Sequence, residues 1–367
     1  MPFSPADTAH MSQALALAKQ ALFITSPNPR VGCVIVGADG TVLGQGHTQM
    51  AGQAHAEVMA LRDAQAQGRS TQGATAYVSL EPCSHYGRTG PCCDALVAAG
   101  ITKVVASVQD PNPQVAGQGL ARLQAAGVNV SVGLLAAESE ELNIGFFKRM
   151  RQGTPWLRMK SAQSLDGQTA LNSGQSQWIT GEAARLDGHR FRAQACAVLT
   201  GIGTVLEDNP SLNVRGIDTP RQPGLLLVDS RLQTPLDARL WEVQRQIVIF
   251  HAERHPAREA ALKAQGAQLV CLPGEGEKVD LKKMLLHLGQ LPCNEVHIEA
   301  GHKLNGSLLQ AGLVDELLVY VAPMLLGPGQ AMAALPERHD LPTAGAWVFT
   351  DHMALGSDLR VRLRAVR

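Results

Sequence analysis

Residues 74–108, ATAYVSLEPCSHYGRTGPCCDALVAAGITKVVASV, decide how the first half of the chain folds. ATAYVSL (74–80) and KVVASV (103–108) are apolar, β-rich runs, and a helical pattern from about residue 92 to 99 lies between them. The same alternation continues outward, with helices over about 55–67 and 118–126, a strand VNVSV at 128–132, and a charge-rich helix over 138–151. This order predicts a layered α/β domain whose later strands are mostly parallel. Upstream, Met11, Ala14, Leu15, Ala18 and Ala21 recur at helical spacing within residues 6–21. VGCVIV and TVLGQG flank the turn Gly37-Ala38-Asp39-Gly40 and read as a hairpin.

At about 150 residues per domain, 367 residues predict two to three domains. Gly153-Thr154-Pro155 supplies a hinge, so the division expected is 1–150 and 151–367. A second α/β pattern starts at Trp156, with strands at 156–164, 195–201, 224–230, 246–250, 267–272, 294–301 and 316–323. The closing stretch from Trp347 alternates apolar and polar residues around Gly356-Ser357, as an antiparallel edge hairpin does. Thirty-two Lys+Arg against 32 Asp+Glu leave no net charge, which argues against nucleic-acid and anionic-membrane partners. The chain lacks an eighteen-residue apolar run, and residues 1–20 lack the look of a leader, so a cytoplasmic protein is expected. Seven cysteines are too few and too odd in number for a disulfide framework, and three of them fall between Cys83 and Cys93.

That cluster belongs to a larger constellation. His55-Ala56-Glu57 opens one helix, Glu81-Pro82-Cys83 ends a strand, and Pro91-Cys92 opens the next helix. One imidazole and two thiolates suit Zn²⁺, and three protein ligands leave a fourth position for water, as a catalytic zinc requires. Helix N-termini at the metal favour thiolates and hydroxide. Glu57, two residues beyond His55, is positioned as a proton carrier, the role such a Glu has in zinc deaminases. Buried apolar cysteines or a structural zinc knuckle would explain any one of these residues alone, but not their ordered combination. The deaminase signature P-C-x-x-C is altered here, since eight residues, Ser84 to Pro91, separate Cys83 from Cys92. Adjacent helical residues point about 100° apart, so only one of Cys92 and Cys93 ligates; Pro91 and the match to the signature favour Cys92.

The strings SPNPRVGCVIV, HAEVMAL, ATAYVSLEPCSHYGRTGPCCDAL and VVASVQDPNPQVAGQGL closely resemble the bifunctional deaminase–reductases of riboflavin biosynthesis. LNIGFFKRMRQGTPWLRMKSAQSLDGQTA, TGIGTVLEDNPSLNVR and IEAGHKLNGSLLQAGLVDE extend the resemblance over essentially the whole chain. It implies an N-terminal cytidine-deaminase-like α/β/α layered domain and a C-terminal dihydrofolate-reductase-like α/β domain. The first would remove the 2-amino group of 2,5-diamino-6-ribosylamino-4(3H)-pyrimidinone 5′-phosphate with Zn²⁺. The second would reduce the ribosyl group to ribityl with NADPH. Family members are often multimeric, so a homo-oligomer is compatible. The resemblance makes His55, Cys83 and Cys92 zinc ligands, Glu57 the proton donor, and Asn28, His85, Asp110 and Asn112 contacts to the pyrimidine or its phosphate. Two departures are Met59, where the family commonly has His, and Thr48, where it often has another His.

Read on its own, the second half is less explicit. Gly201-Ile202-Gly203 follows a strand, but Leu206 stands where a dinucleotide fingerprint has its third glycine. Gly301 to Ser307 has P-loop glycine spacing without the P-loop lysine, which disfavours ATP hydrolysis. A glycine-bearing turn there, leading into helix SLLQAGLV, would offer N–H groups to a pyrophosphate. The resemblance assigns Gly301, His302, Lys303, Leu304, Asn305, Gly306 and Ser307 to the dinucleotide, with Ala162, Trp178, Thr204, Asp208 and Ser230. Ser230, beside Arg231, would hold the 2′-phosphate. It assigns Ser176, Arg192, Leu212, Arg215 and Glu299 to the ribose phosphate, with Lys160 near the sugar. The alternative reading is a zinc nucleoside or tRNA deaminase with a C-terminal recognition domain, and a third is a structural-zinc protein that senses a nucleotide. An acid such as Glu57 beside an open coordination position argues against the third.

Overall fold

In the computed structural model, which describes residues 3–85, 90–113, 115–337, 339–340 and 346–366, the chain divides into two units, Met1–Gly153 and Thr154–Arg367. Residues 86–89 of the segment between Cys83 and Cys92 lie outside the described residues.

The first unit runs α1 (Pro5–Gln20), β1 (Gly32–Val36), β2 (Val42–His47), α2 (Ala56–Ala66), β3 (Thr75–Val78), α3 (Cys92–Ala98), β4 (Lys103–Ala106), α4 (Gln118–Ala125), β5 (Asn129–Val132), α5 (Ala136–Leu142) and α6 (Ile144–Gln152). Its sheet has the order β2-β1-β3-β4-β5. The β1–β2 hairpin and the β1–β3 pair are antiparallel, and β3, β4 and β5 are parallel, as the alternation predicts. β1 is buried at every position. Its alternate residues enter two cores: Cys33 and Ile35 pack with Ala56, Ala60 and Leu96, whereas Val34 and Val36 pack with Met11, Ala14 and Leu15 of α1. Gly32 lets α1 press onto the strand, since a Cβ there would stand 1.9 Å from the Ala14 carbonyl oxygen. α1 starts in a capping box between Ser4 and Asp7, and the Tyr77 hydroxyl donates to Asp7 at 2.7 Å, tying the helix start to β3.

The single helix expected over 138–151 is two helices, α5 and α6, broken at Asn143. The buried Asn143 side chain accepts the Arg30 N–H at 2.8 Å and donates to the Arg30 carbonyl at 3.0 Å, pairing with the backbone as a strand would. Helical periodicity carries no trace of this long-range exchange.

The second unit runs β6 (Trp156–Ser164), β7 (Gln168–Leu171), α7 (Glu182–Gln194), β8 (Ala197–Gly201), α8 (Ile202–Asp208), β9 (Gly224–Val228), β10 (Ile247–His251), α9 (Pro256–Ala264), β11 (Ala267–Cys271), α10 (Leu281–Gln290), β12 (Glu295–Ile298), α11 (His302–Gln310), β13 (Glu316–Ala322), β14 (Gly329–Ala331), β15 (Trp347–Leu355) and β16 (Asp358–Ala365). Nine strands form one sheet in the order β11-β10-β9-β8-β12-β6-β13-β16-β15. It is parallel from β11 to β13, and the expected C-terminal hairpin closes it antiparallel at one edge. Arg158 on β6 is buried and reaches Glu316 of β13 at 3.0 Å and Glu295 of β12 at 3.3 Å, joining three central strands across one face. The β7–β14 pair, three to four residues per strand, is too short to carry a readable period.

The glycine-bearing turn expected over 301–307 shrinks to Gly301 alone. α11 already begins at His302, so Asn305, Gly306 and Ser307 are helix interior. Asn305 donates from Nδ2 to the Ala300 and Met332 carbonyls, and a Cβ on Gly306 would lie 2.2 Å from the Ala334 carbonyl oxygen. Gly306 therefore serves helix packing. Among the described residues no helix is long and apolar enough to cross a membrane.

Asn143→Ala leaves the buried Arg30 N–H without its acceptor and should cost about 1–3 kcal/mol. A fall in the urea midpoint followed by far-UV circular dichroism checks it; an unchanged midpoint would show that the helix break needs no such bond.

Candidate active sites

In the first unit the expected ligand set comes together. His55 is the N-cap of α2, Cys92 the first residue of α3, and Cys83 lies in the loop after β3. The Cys83 and Cys92 sulfurs stand 3.6 and 3.4 Å from His55 Nδ1, and the three ligand atoms lie within 4.8 Å of one another. A tetrahedral zinc with bonds of about 2.0–2.3 Å fits such a triangle, and the donor set, one nitrogen and two sulfurs, fits zinc chemistry. The hydrogen bond between the thiols pushes Cys83 down to about 4, and the same bond pushes Cys92 up. A cation bound to both sulfurs would remove that competition and favour two thiolates.

Cys93 is not in this group. Its thiol is fully buried and donates to the carbonyls of Pro82 at 3.2 Å and Gly119 at 3.4 Å, so the choice of Cys92 agrees with the geometry. Glu57 is 3% exposed, and burial, then the charge of Cys83, pushes its carboxyl up to about 7. At that value it exchanges a proton near neutrality.

The sequence reading passed over Glu81. Its buried carboxylate accepts the N–H groups of Asp110, Gly117, Gly119 and Leu120 at 2.9–3.3 Å. This fastens the loop after β4 and the start of α4 to the segment bearing Cys83. Glutamate directly before Pro-Cys was the available signal. Asp110 and Asn112 lie on that loop, half-buried, with Asp110 accepting the Asn112 N–H at 2.8 Å. Burial pushes Asp110 up to about 6. His85 is exposed at the border of the described segment, and Asn28 is half-buried in the loop after α1. Among the described residues no hydrogen bond joins Asn28 to His55 or the cysteines. Thr48 is buried and donates through both N–H and hydroxyl to the Val31 carbonyl, so its side chain serves the fold.

The second unit holds a cavity of about 1000 Å³. Its wall includes Ala162, Trp178, Thr204, Asp208, Gly301, His302 and Asn305 of the expected dinucleotide set. It also includes Ser176, Arg192, Leu212, Arg215 and Glu299 of the expected ribose-phosphate set, together with Lys160. Ser230, Lys303, Leu304, Gly306 and Ser307 do not line it. Ser230 accepts the Val279 N–H at 3.2 Å, and its neighbour Arg231 is ion-paired with Glu253 and Glu277. Gly301 gives α11 no side-chain cap, and Gly301 and His302 at its start line the cavity, which fits a dinucleotide's phosphates.

Arg192 and Glu299 form a two-bond ion pair at 2.6 and 2.9 Å. Burial alone would raise Glu299, but Arg192, His297 and Lys160 together outweigh it and hold the carboxyl well below the usual range. Burial lowers Lys160. His189 Nδ1 accepts the Arg215 N–H at 3.3 Å, and burial followed by the arginines pushes the ring down to about 4, keeping it neutral. Sequence reasoning missed His189 and a third cavity arginine, Arg239; on a surface turn and a helix such residues look like ordinary solvated charge.

Comparison with known proteins covers both units. Residues 155–359 match the RibD C-terminal domain family, and residues 4–108 match the cytidine and deoxycytidylate deaminase zinc-binding region. The chain is 46% identical to the riboflavin biosynthesis protein RibD of Escherichia coli K12, over 97% of this chain and 99% of that one. It is 39% identical to the Aquifex aeolicus protein of the same name, covering 90% and 91% of the two chains. Among solved structures, Acinetobacter baumannii RibD, form 1, superposes with a TM-score of 0.90 at 43% identity, covering 99% of each chain. A diaminohydroxyphosphoribosylaminopyrimidine deaminase/5-amino-6-(5-phosphoribosylamino)uracil reductase from Thermotoga maritima superposes with a TM-score of 0.87 at 29% identity, over 98% of this chain and 99% of that one.

Cys92→Ser should purify with little zinc, whereas Cys93→Ser should keep about one zinc per chain. Metal analysis of the two proteins decides between them; the reverse pattern would move the ligand by one residue.

Proposed function

The chain belongs to the RibD family of bifunctional riboflavin biosynthesis enzymes, a deaminase and a reductase in one polypeptide, and from that premise we propose how its residues divide the two reactions. Its first unit is of the cytidine-deaminase type and its second of the RibD reductase type, with a dihydrofolate-reductase-like fold. A C-terminal half of that family does not favour the nucleoside or tRNA deaminase alternative.

The deaminase substrate is 2,5-diamino-6-ribosylamino-4(3H)-pyrimidinone 5′-phosphate, and His55, Cys83 and Cys92 hold the zinc. Bound zinc supplies Lewis acidity that makes water a nucleophile near neutral pH. Glu57 would carry one proton from the attacking water to the ring nitrogen and a second, from the hydroxyl so added at the 2-position, to the departing amine, which leaves as ammonia. The observation that carries this role is the burial of Glu57 beside the ligand set, which holds its carboxyl near about 7. Glu81 acts through other groups, holding the Asp110–Asn112 segment against the strand end that leads to Cys83.

In the second unit the cavity wall that includes Gly301, His302 and Trp178 would hold NADPH, which when bound would supply hydride for C1′ of the ring-opened ribosyl group, the imine nitrogen gaining a proton, to give 5-amino-6-ribitylamino-uracil 5′-phosphate. The first-turn N–H groups of α11 receive the dinucleotide phosphates, and Trp178, 65% exposed on the cavity, offers a flat apolar wall. Lys160 and Glu299, both on that wall, face the sugar. Binding geometry supplies most of the rate here.

Glu57→Gln should retain zinc and lose about 10²- to 10⁴-fold in ammonia release, while NADPH oxidation with already deaminated substrate continues at the wild-type rate. Preserved deamination would sink the role given to Glu57, and NADPH oxidation without prior deamination would overturn the order of steps.

A further inference from the structure

We propose that His297 is a positioning residue of the second unit's site, an N–H donor that fixes one oxygen of Glu299 so that the other serves a hydroxyl group of the sugar. The proposal rests on the reading of that cavity as the reductase site and adds a residue behind its wall. Glu295, His297 and Glu299 alternate along β12 and just past its end, so the three side chains share one face of the sheet. Register sets His297 opposite Val198 of β8 on one side and Arg158 of β6 on the other. The imidazole is fully buried there. Charges beside it are matched: Arg158 reaches Glu295 and Glu316, and Glu295 also accepts from Gln194 at 3.0 Å. His297 is different, because among the described residues neither ring nitrogen makes a hydrogen bond. A buried polar group without a partner lowers stability, and an apolar side chain at such a position would avoid that loss.

What the imidazole faces explains its retention. Glu299 Oε1 stands 3.5 Å from His297 Nε2, and a movement of a few tenths of an ångström brings the two into bonding range. Glu299 is otherwise held from one side: Arg192 donates from Nε to Oε1 at 2.6 Å and from Nη2 to Oε2 at 2.9 Å. A carboxylate gripped by one guanidinium can pivot with it, and a second donor on Oε1, from the sheet, prevents that. Oε2 keeps acceptor capacity beyond its single bond, on a residue that lines the cavity. Burial, helped by Arg158, Arg192 and Lys160 and opposed by Glu299, pushes the His297 ring down to about 3. The ring is therefore neutral with one N–H, and a carboxylate, which only accepts, selects the Nε2–H tautomer. A neutral donor adds direction to Glu299 without adding charge to a site that already holds Arg192 and Lys160.

Two variants of the full chain, His297→Leu and His297→Gln, test the assignment. Leucine removes an orphaned polar group from the core, so the thermal midpoint followed by circular dichroism should hold or rise. Reductase kcat/KM for the deaminated substrate should nevertheless fall roughly 10-fold, with KM for NADPH unchanged. Glutamine offers an N–H again and should recover most of that loss. A residue that only packs would not separate stability from activity in this way. Wild-type kcat/KM in His297→Leu would overturn the proposal, as would a steep fall in its midpoint or a glutamine variant no more active than the leucine one. Nitrogen NMR of histidine-labelled protein reads the ring without turnover, the His297 signals being those missing from His297→Gln. It should show a neutral ring protonated at Nε2 from about pH 6 to 8; an imidazolium or an Nδ1–H tautomer would overturn the assignment. Failure of the reductase reading has a different signature: Glu299→Gln would then leave NADPH oxidation with the deaminated substrate at the wild-type rate.

Discussion

A buried carboxylate surrounded by main-chain N–H groups organises the first unit. Glu81 accepts from Asp110, Gly117, Gly119 and Leu120, and the next two residues of the chain are Pro82 and Cys83. One side chain thus satisfies N–H groups that would otherwise be orphaned at the start of α4 and in the preceding loop. It also fixes the distance between that loop and the sulfur of Cys83. The packing leaves little slack, because a Cβ on Gly119 would stand 2.0 Å from the Pro82 carbonyl oxygen. The thiol of Cys93 fills the same seam from the α3 side. The ligand triangle depends on this seam, since Cys83 lies in a loop with no regular structure of its own.

The two units treat charge differently. In the first, burial keeps the carboxyl of Glu57 protonated to unusually high pH, so a proton can move. In the second, buried or half-buried charges are held in place by partners: Arg158 between two glutamates, Arg192 against Glu299. These pairs are weak evidence for stability, because desolvation offsets much of the attraction, but they fix geometry. Hydride transfer needs fixed geometry, whereas hydrolytic deamination needs a titrating group.

How legible each unit is in the sequence follows from where its constraints lie. The hairpin, the parallel strands 75–78 and 103–106, and the cluster of His55, Cys83 and Cys92 are encoded by short-range patterns, so their coming together is readable. The break at Asn143 depends on Arg30, 113 residues away, and is invisible to periodicity. The role of Glu81 is likewise long-range, closing on residues 29 to 39 positions away. In the second unit the cavity draws on residues from Lys160 to Met332, and no two of its charged groups share a motif. The resemblance to a family carried most of those assignments; of the stretch it gives to the dinucleotide, Gly301, His302 and Asn305 line the cavity, and Gly306 packs against Ala334.

Zero net charge acquires a local explanation in this arrangement. An anionic substrate gains nothing from the average field of the molecule, so recognition must come from cations that the fold leaves without partners. Arg231 shows the opposite outcome, with two glutamates on an exposed surface, and Arg192 shows it inside the cavity. Arg215 differs in that its guanidinium is anchored by the neutral amide of Asn213, which does not cancel its charge, while Asn209 accepts the main-chain N–H of Arg239. Arg245, turned onto the Ser211 and Leu212 carbonyls, holds the intervening loop in a backbone conformation that ordinary residues avoid. A loop so fastened holds the Arg215 guanidinium at the cavity wall on a neutral partner, which a surface balanced residue by residue could not do.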